Sequence, residues 1–171
     1  MKNKKSFIIK ALILVIVCEI IGIIGRIATA EGVTSWFQTI EKPFFNPPAW
    51  LFAPVWTILY FLMGISAALV WHKGTDNGRE RIFEMDNGNV RTALGLFAIQ
   101  LFLNFCWSFL FFKYHLLFVA FIEIITMLIF IVLTTVHFYR IDKIAGLLMI
   151  PYILWVSFAS ILNFSLWFLN K

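Results

Sequence analysis

Charge is what this chain has least of. Only 13% of its 171 residues are Asp, Glu, Lys or Arg, roughly half the share usual in soluble domains. Apolar residues reach 61%, against about 45–50% in soluble chains. A water-soluble fold of this length would run short of polar surface, whereas a lipid bilayer suits such a composition. Cysteine is scarce too. Cys18 and Cys106 both lie inside apolar runs and read as small core residues, which argues against a disulfide framework. No Gly-rich phosphate loop, Ser/His/Asp constellation, internal repeat or low-complexity tract is visible in the sequence,. His72, His115 and His137 make no pair at metal-ligand spacing, so no metal and no required cofactor is expected. The net charge of +5 comes from basic residues at the ends of apolar runs. They form no basic face, which argues against a nucleic-acid partner.

What the chain has instead is five apolar segments, about 7–28, 49–71, 92–112, 116–138 and 144–168. Each is close to the roughly 20 residues a membrane helix needs. They predict an all-α integral membrane protein, one domain built as a five-transmembrane-helix bundle in the lipid bilayer. The first segment has a rival reading as a signal peptide, because MKNKK precedes it and Ala28-Thr29-Ala30 has the A-x-A form. Against that, the run is long for such a segment and contains Glu19, with Arg26 just before the cut. The connection 29–48 carries Trp36, Phe37 and Ile40, ends in prolines, and is expected to act as a lid. The connection 72–91, HKGTDNGRERIFEMDNGNVR, is polar and rich in turn formers. It reads as a solvated loop with a short helix around Arg79–Met85. The remaining connections are short, which makes their flanking helices antiparallel neighbours.

Lys and Arg set the orientation. With the N-terminus inside, the inner side holds Lys2, Lys4, Lys5, Lys10, Lys73, Arg79, Arg81, Arg91, Arg140 and Lys143, and the outer side Arg26, Lys42, Lys113 and Lys171. That bias favours N-terminus inside, C-terminus outside, and the 29–48 connection outside beside the C-terminus.

The second span opens as KPFFNPPAWLFAPVWTILYFLMG. Pro47 and Pro48 fall just before or in the first helical turn, where a missing N–H costs nothing, and Asn46 is a candidate N-cap. Pro54 falls about two turns in and would free the carbonyl of Trp50. Trp50 and Trp56 serve either an interfacial belt or the wall of a cavity. In the third span Gln100, Asn104, Trp107 and Ser108 share one helical face,. Their polar groups should look into the bundle, to bond other helices or to meet a ligand. In the fifth span Pro151, Trp155, Ala159 and Leu162 or Asn163 share a face. A small residue beside a large one there makes either a slot or a close helix contact. Glu19 and Glu123 are charges inside spans, costly unless paired or protonated. Gly64 with Ala68, and Gly95 with Ala98, can pack helices within one chain or between two.

The stretches KPFFNPPAWLFAPVWTILYFLMGISAALVW, QLFLNFCWSFLFF and PYILWVSFASILNFSLW together resemble the TspO/MBR family, the translocator or peripheral-type benzodiazepine receptor family, in a bacterial form. Glu31-Gly32 and Trp36-Phe37 are similar to its first loop. The resemblance covers about residues 20–168. It implies that the first segment is retained as a membrane helix, that the protein is a homodimer of five-helix chains in a bacterial plasma membrane, and that its ligand is a porphyrin or another apolar small molecule of isoquinoline or benzodiazepine type. It also implies a pocket formed by Trp50, Asn104, Trp107, Trp155 and Ala159, toward the end covered by the first loop. Three departures stand out. The family's sterol pattern needs a Tyr near the end of the fifth span, where LNFSLWFLNK has none, so sterol is a doubtful ligand. Ile99 takes a position that is small in some members. The 72–91 loop is longer than in the animal proteins.

The expected function is therefore a receptor or carrier that binds protoporphyrin IX and similar ligands. Trp50, Trp107 and Trp155 would supply ring faces, Asn104 a directional hydrogen bond, and Ser108, Ala159 and Leu162 further wall. Arg26, Trp36, Lys42 and Pro43 are the expected propionate or lid contacts. The alternative is an enzyme that degrades photoexcited porphyrin through Trp50 and Trp155. A third reading is an accessory membrane subunit without a small ligand.

Overall fold

The computed structural model describes residues 2–75 and 88–171. Among them the chain forms helices and no strand: α1 (Lys2–Thr34), α2 (Trp36–Thr39), α3 (Ala49–Thr75), α4 (Gly88–Ser108), α5 (Leu117–Ile141), α6 (Lys143–Leu148) and α7 (Ile150–Leu169). A π-helical turn, Phe109–Lys113, continues α4. Five helical stretches are long and apolar enough to cross a membrane: Lys4–Thr34, Ala49–Thr75, Asn89–Lys113, Leu117–Ile141 and Lys143–Leu169. The five-helix bundle expected from the sequence is the fold observed. The short helix expected around Arg79–Met85 lies outside the described residues.

Three local features differ from the sequence reading. First, α1 extends through Thr34, so the connection expected from residue 29 begins as helix. Adding residues to an existing helix costs little. The hydroxyls of Thr29 and Thr34 also donate to the carbonyls of Gly25 and Ala30, at 2.7 and 3.0 Å, so their polar atoms are satisfied within the helix. Second, Asn46 does not cap α3. Its amide nitrogen bonds the Pro47 carbonyl, and its Oδ1 is buried without a partner among the described residues. Third, the last span is two helices, broken at Met149 with Pro151 in the first turn of α7. Pro54, by contrast, is carried inside an unbroken α3.

Glycine sets the closest helix contacts. A Cβ on Gly64 of α3 would stand 2.6 Å from the Val15 Cα of α1. One on Gly22 would meet the Tyr60 ring at 2.3 Å. A Cβ on Gly32 would meet the Phe112 carbonyl oxygen at 1.8 Å. These three contacts tie α1 to α3 and to the π-turn.

At one end of the bundle Asp142 caps α6, accepting from the backbone N–H groups of Ile144 and Ala145 at 2.9 and 3.1 Å,. Lys73 reaches the same carboxylate at 3.7 Å. At the other end the Glu41 N–H donates to Asn170 Oδ1, and Asn170 Nδ2 donates back to the Glu41 carbonyl, both at 2.9 Å. That exchange pins the first connection to the end of α7.

Two apolar cores result. The larger includes Met63, Phe97, Met127, Phe138, Met149 and Tyr152. The smaller, near the pinned end, gathers Phe37, Phe111, Leu117, Ala120, Leu162 and Leu166. Outward-facing Leu12, Ile16, Ile23 and Ile27 of α1 are about half exposed or more, as befits a surface against lipid.

Candidate functional site

Between the two cores lies a cavity of about 630 Å³, within the usual range for small-molecule sites. Four long helices wall it. α3 contributes Trp50, Ala53, Trp56 and Tyr60, positions three or four apart and so on one face. α4 contributes Asn104, Trp107 and Ser108, continued by Phe111 and Phe112 of the π-turn. α7 contributes Trp155, Ala159, Leu162 and Asn163, while α1 contributes Glu19, Gly22, Arg26 and Thr29. Phe37 of α2 closes the pinned end.

Asn104, Trp107 and Asn163 on the α4 and α7 walls are engaged across helices. Asn104 is buried, 3% exposed. Its Oδ1 accepts from the Tyr60 hydroxyl at 2.5 Å, and its Nδ2 donates to the Tyr152 hydroxyl at 2.8 Å. One amide thereby joins α3, α4 and α7. The Trp107 indole N–H donates to Asn163 Oδ1 at 3.1 Å, and Asn163 Nδ2 donates to the Leu117 carbonyl at 2.9 Å. That second chain joins α4, α7 and the start of α5, and it fixes the plane of the Trp107 ring. Phe111 packs on that ring at 5.0 Å between centroids. Trp155 is held edge-to-face by Phe52 at 5.9 Å. Its own N–H is buried without a partner among the described residues.

A TspO/MBR family model matches residues 14–168. The chain belongs to the TspO/MBR family. It is similar to a tryptophan-rich protein TspO of Archaeoglobus fulgidus, 42% identical over 150 residues, which cover 88% of this chain and 90% of the relative. A second, from Chlorobaculum tepidum, is 41% identical over 153 residues, 90% of each chain. The translocator protein of Homo sapiens is 32% identical over 143 residues, 84% of this chain and 79% of the relative. Family membership and the five apolar helices together make this an integral membrane protein.

The structure brings Arg26, Trp50, Asn104, Trp107, Ser108, Trp155, Ala159 and Leu162 to one cavity. Trp36, Lys42 and Pro43, the residues expected as propionate or lid contacts, are not among the residues of its wall. Trp36 stacks on His115 at 4.2 Å, outside the lining. The Lys42 ammonium turns to the carbonyls of Gln38 and Ile40 at 3.3 and 3.2 Å and lies over the Phe37 ring, 5.1 Å from its centroid. Pro43 gives its carbonyl to the Asn46 N–H. The residue of that segment that is buried and reaches the wall is Phe37, 7% exposed. The expected role of Asn104 also changes, because both atoms of its amide already hold the bundle together.

Sequence reasoning did not place Glu19 or Tyr60 at the site, and it favoured Trp50 over Trp56 and Leu162 over Asn163 where both members of each pair line the cavity. Glu19 and Arg26 lie seven residues apart, two helical turns on one face, and that spacing was a usable signal. Trp56 and Tyr60 are likewise one turn apart, and their rings pack at 5.7 Å. Nothing in the sequence foretold the π-turn that carries Phe111 and Phe112 to the cavity.

Proposed function

We propose that this protein is a membrane receptor or carrier that holds a porphyrin such as protoporphyrin IX, or an isoquinoline- or benzodiazepine-type ligand, in the intrabundle cavity. The observation that carries the reading is a cavity walled by four indoles with one arginine at its exposed edge. A porphyrin is a flat apolar macrocycle with anionic propionates. Trp107 and Trp155 offer faces for it, each worth about 0.5–1.5 kcal/mol beyond burial. Arg26 offers a charge-assisted partner for a propionate. The translocator name borne by relatives such as the human protein is in keeping with a carrier. We place the protein in a bacterial plasma membrane, N-terminus inside, as a homodimer. Titrating protoporphyrin IX against tryptophan fluorescence in lipid nanodiscs tests the reading. It expects saturable quenching that weakens in Trp155→Phe, and non-saturable quenching unaffected by that change would sink it.

One observation favours a second reading, light-dependent porphyrin breakdown. An excited macrocycle that takes an electron from an indole becomes a radical anion. An indole N–H left unbonded by the protein is free to pass its proton to that same macrocycle, a net hydrogen-atom transfer. The Trp107 N–H is committed to Asn163, whereas the Trp155 N–H has no partner among the described residues. Illumination should then give a defined product that disappears in Trp155→Phe while binding persists. Bleaching at the protein-free rate removes this reading.

A further inference from the structure

We propose that the cavity is reached sideways from the bilayer, through a gap between α1 and α3, by lipid-dissolved amphiphiles whose anionic group meets Arg26 in that gap. The inference rests on the cavity being a ligand site, but not on porphyrin being the ligand.

The exposure of the wall residues carries the argument. Every lining residue that is exposed belongs to α1 or α3, among them Ile23, Arg26 and Ala30 on one side and Trp50 and Thr57 on the other. Those supplied by α2, α4, the π-turn and α7 are all buried or half-buried. At the end that a lid would be expected to open, the side formed by α2, the π-turn and α7 is shut, and the exposed lining residues there, Thr34, Ala49 and Trp50, again belong to α1 and α3. Phe37 packs edge-on to Phe112 at 5.7 Å, the backbone at Gly32 abuts the Phe112 carbonyl, and Glu41 is tied to Asn170. Toward the other end, α1 and α3 close on each other at Gly22–Tyr60 and Gly64–Val15. The opening is therefore bounded below by two glycine contacts and above by the π-turn.

Its depth identifies what passes. Arg26 stands eight residues before the end of α1, and Thr57 eight after the start of α3. At about 1.5 Å per residue each lies about 12 Å from its helix end. Both are inside the apolar spans, so the gap faces lipid rather than water. A guanidinium at that depth is costly, and Arg26 has no ion-pair partner among the described residues. A passenger that brings an anion on an apolar body relieves that cost. A neutral or cationic one does not.

Site-directed labelling tests this without any porphyrin. In a Cys18→Ala, Cys106→Ala background, A159C puts a thiol on the α7 wall. The protein is reconstituted in liposomes and exposed either to a long-chain alkyl maleimide that also carries a carboxylate, dissolved in the bilayer, or to a sulfonated, water-soluble maleimide. The alkyl reagent should label at least about tenfold faster, and Thr57→Trp or Ala30→Trp, on opposite sides of the gap, should each slow it about tenfold. Phe44→Ala, on the pinned connection, should leave the rate unchanged. Two tryptophan substitutions guard against one of them failing to fold. Equal labelling by the sulfonated reagent, no labelling by either, or alkyl labelling indifferent to both tryptophans overturns the proposal. Protoporphyrin quenching measured on the same liposomes reports separately. Its loss, with the labelling pattern intact, refutes the porphyrin reading and leaves the lateral route standing.

Discussion

On the α4 and α7 side of the cavity, Asn104 and Asn163 each bond groups from other helices, and Trp107 is locked through Asn163. On the α1 side, hydroxyls bond their own helix, as Thr29 does to Gly25. There the helices meet through bare glycine backbone at Gly22 and Gly64. Hydrogen bonds between helices fix ring planes and distances, and leaving their buried partners unsatisfied is expensive. Contacts between small residues need no directional bond, so they hold a seam closed where they occur and leave it free beyond them. One cavity thus has a rigid aromatic wall and a wall that can part. A fixed binding surface with lateral access needs that combination.

The largest way to disturb this contrast is to wedge the seam. Gly64→Val sets a branched side chain against the Val15 backbone, and overpacking against backbone should cost about 3 kcal/mol. Denaturant unfolding in mixed micelles measures it, and Gly95→Ala, inside α4 with a Cβ that would meet nothing within 4 Å, should instead raise stability by about 0.4–1 kcal/mol. Next is the rigid wall. Asn104→Ala orphans the Tyr60 hydroxyl, leaves Tyr152 only its contact to Met127 Sδ, and should cost about 2 kcal/mol. A double-mutant cycle with Tyr60→Phe should return a coupling energy, because the two residues share a bond. Arg26→Gln should raise stability, if it changes it, but weaken protoporphyrin binding about tenfold, or about 1.4 kcal/mol, as read by isothermal titration. The smallest effect falls on one ring face. Trp155→Phe should weaken binding by about 0.5–1 kcal/mol, whereas Trp36→Phe, off the wall, should change it by less than the error of the titration.

Much of this was legible in the sequence. Hydropathy gave the five spans, and helical spacing placed Gln100 and Asn104 on the buried face of α4, where they are 0% and 3% exposed. The same spacing put Trp155, Ala159 and Leu162 on one stripe. What escaped had no local signature. The continuation of α1 to Thr34 depends on hydroxyls bonding back within the helix, in a stretch too polar to read as membrane span. The place of Trp36 off the wall follows from a stack on His115, a residue about 80 positions away whose backbone adopts a left-handed φ of 57°, sparsely populated for residues other than glycine. The π-turn lies in an unbroken apolar run, where no residue marks a change of helical pitch. Nothing in the sequence pairs Tyr60 and Tyr152 with Asn104, because the three come from different helices. Pairings between distant segments are what a one-dimensional pattern does not encode.

The most direct test of the central claim is the structure of the protein with protoporphyrin IX bound in lipid. The account predicts the macrocycle inside the bundle, lying on Trp107 and Trp155, with a propionate at Arg26 and the Tyr60–Asn104–Tyr152 bonds unbroken. A macrocycle bound outside the bundle, or one inside it that displaces Asn104 from both tyrosines while leaving Arg26 untouched, would contradict it.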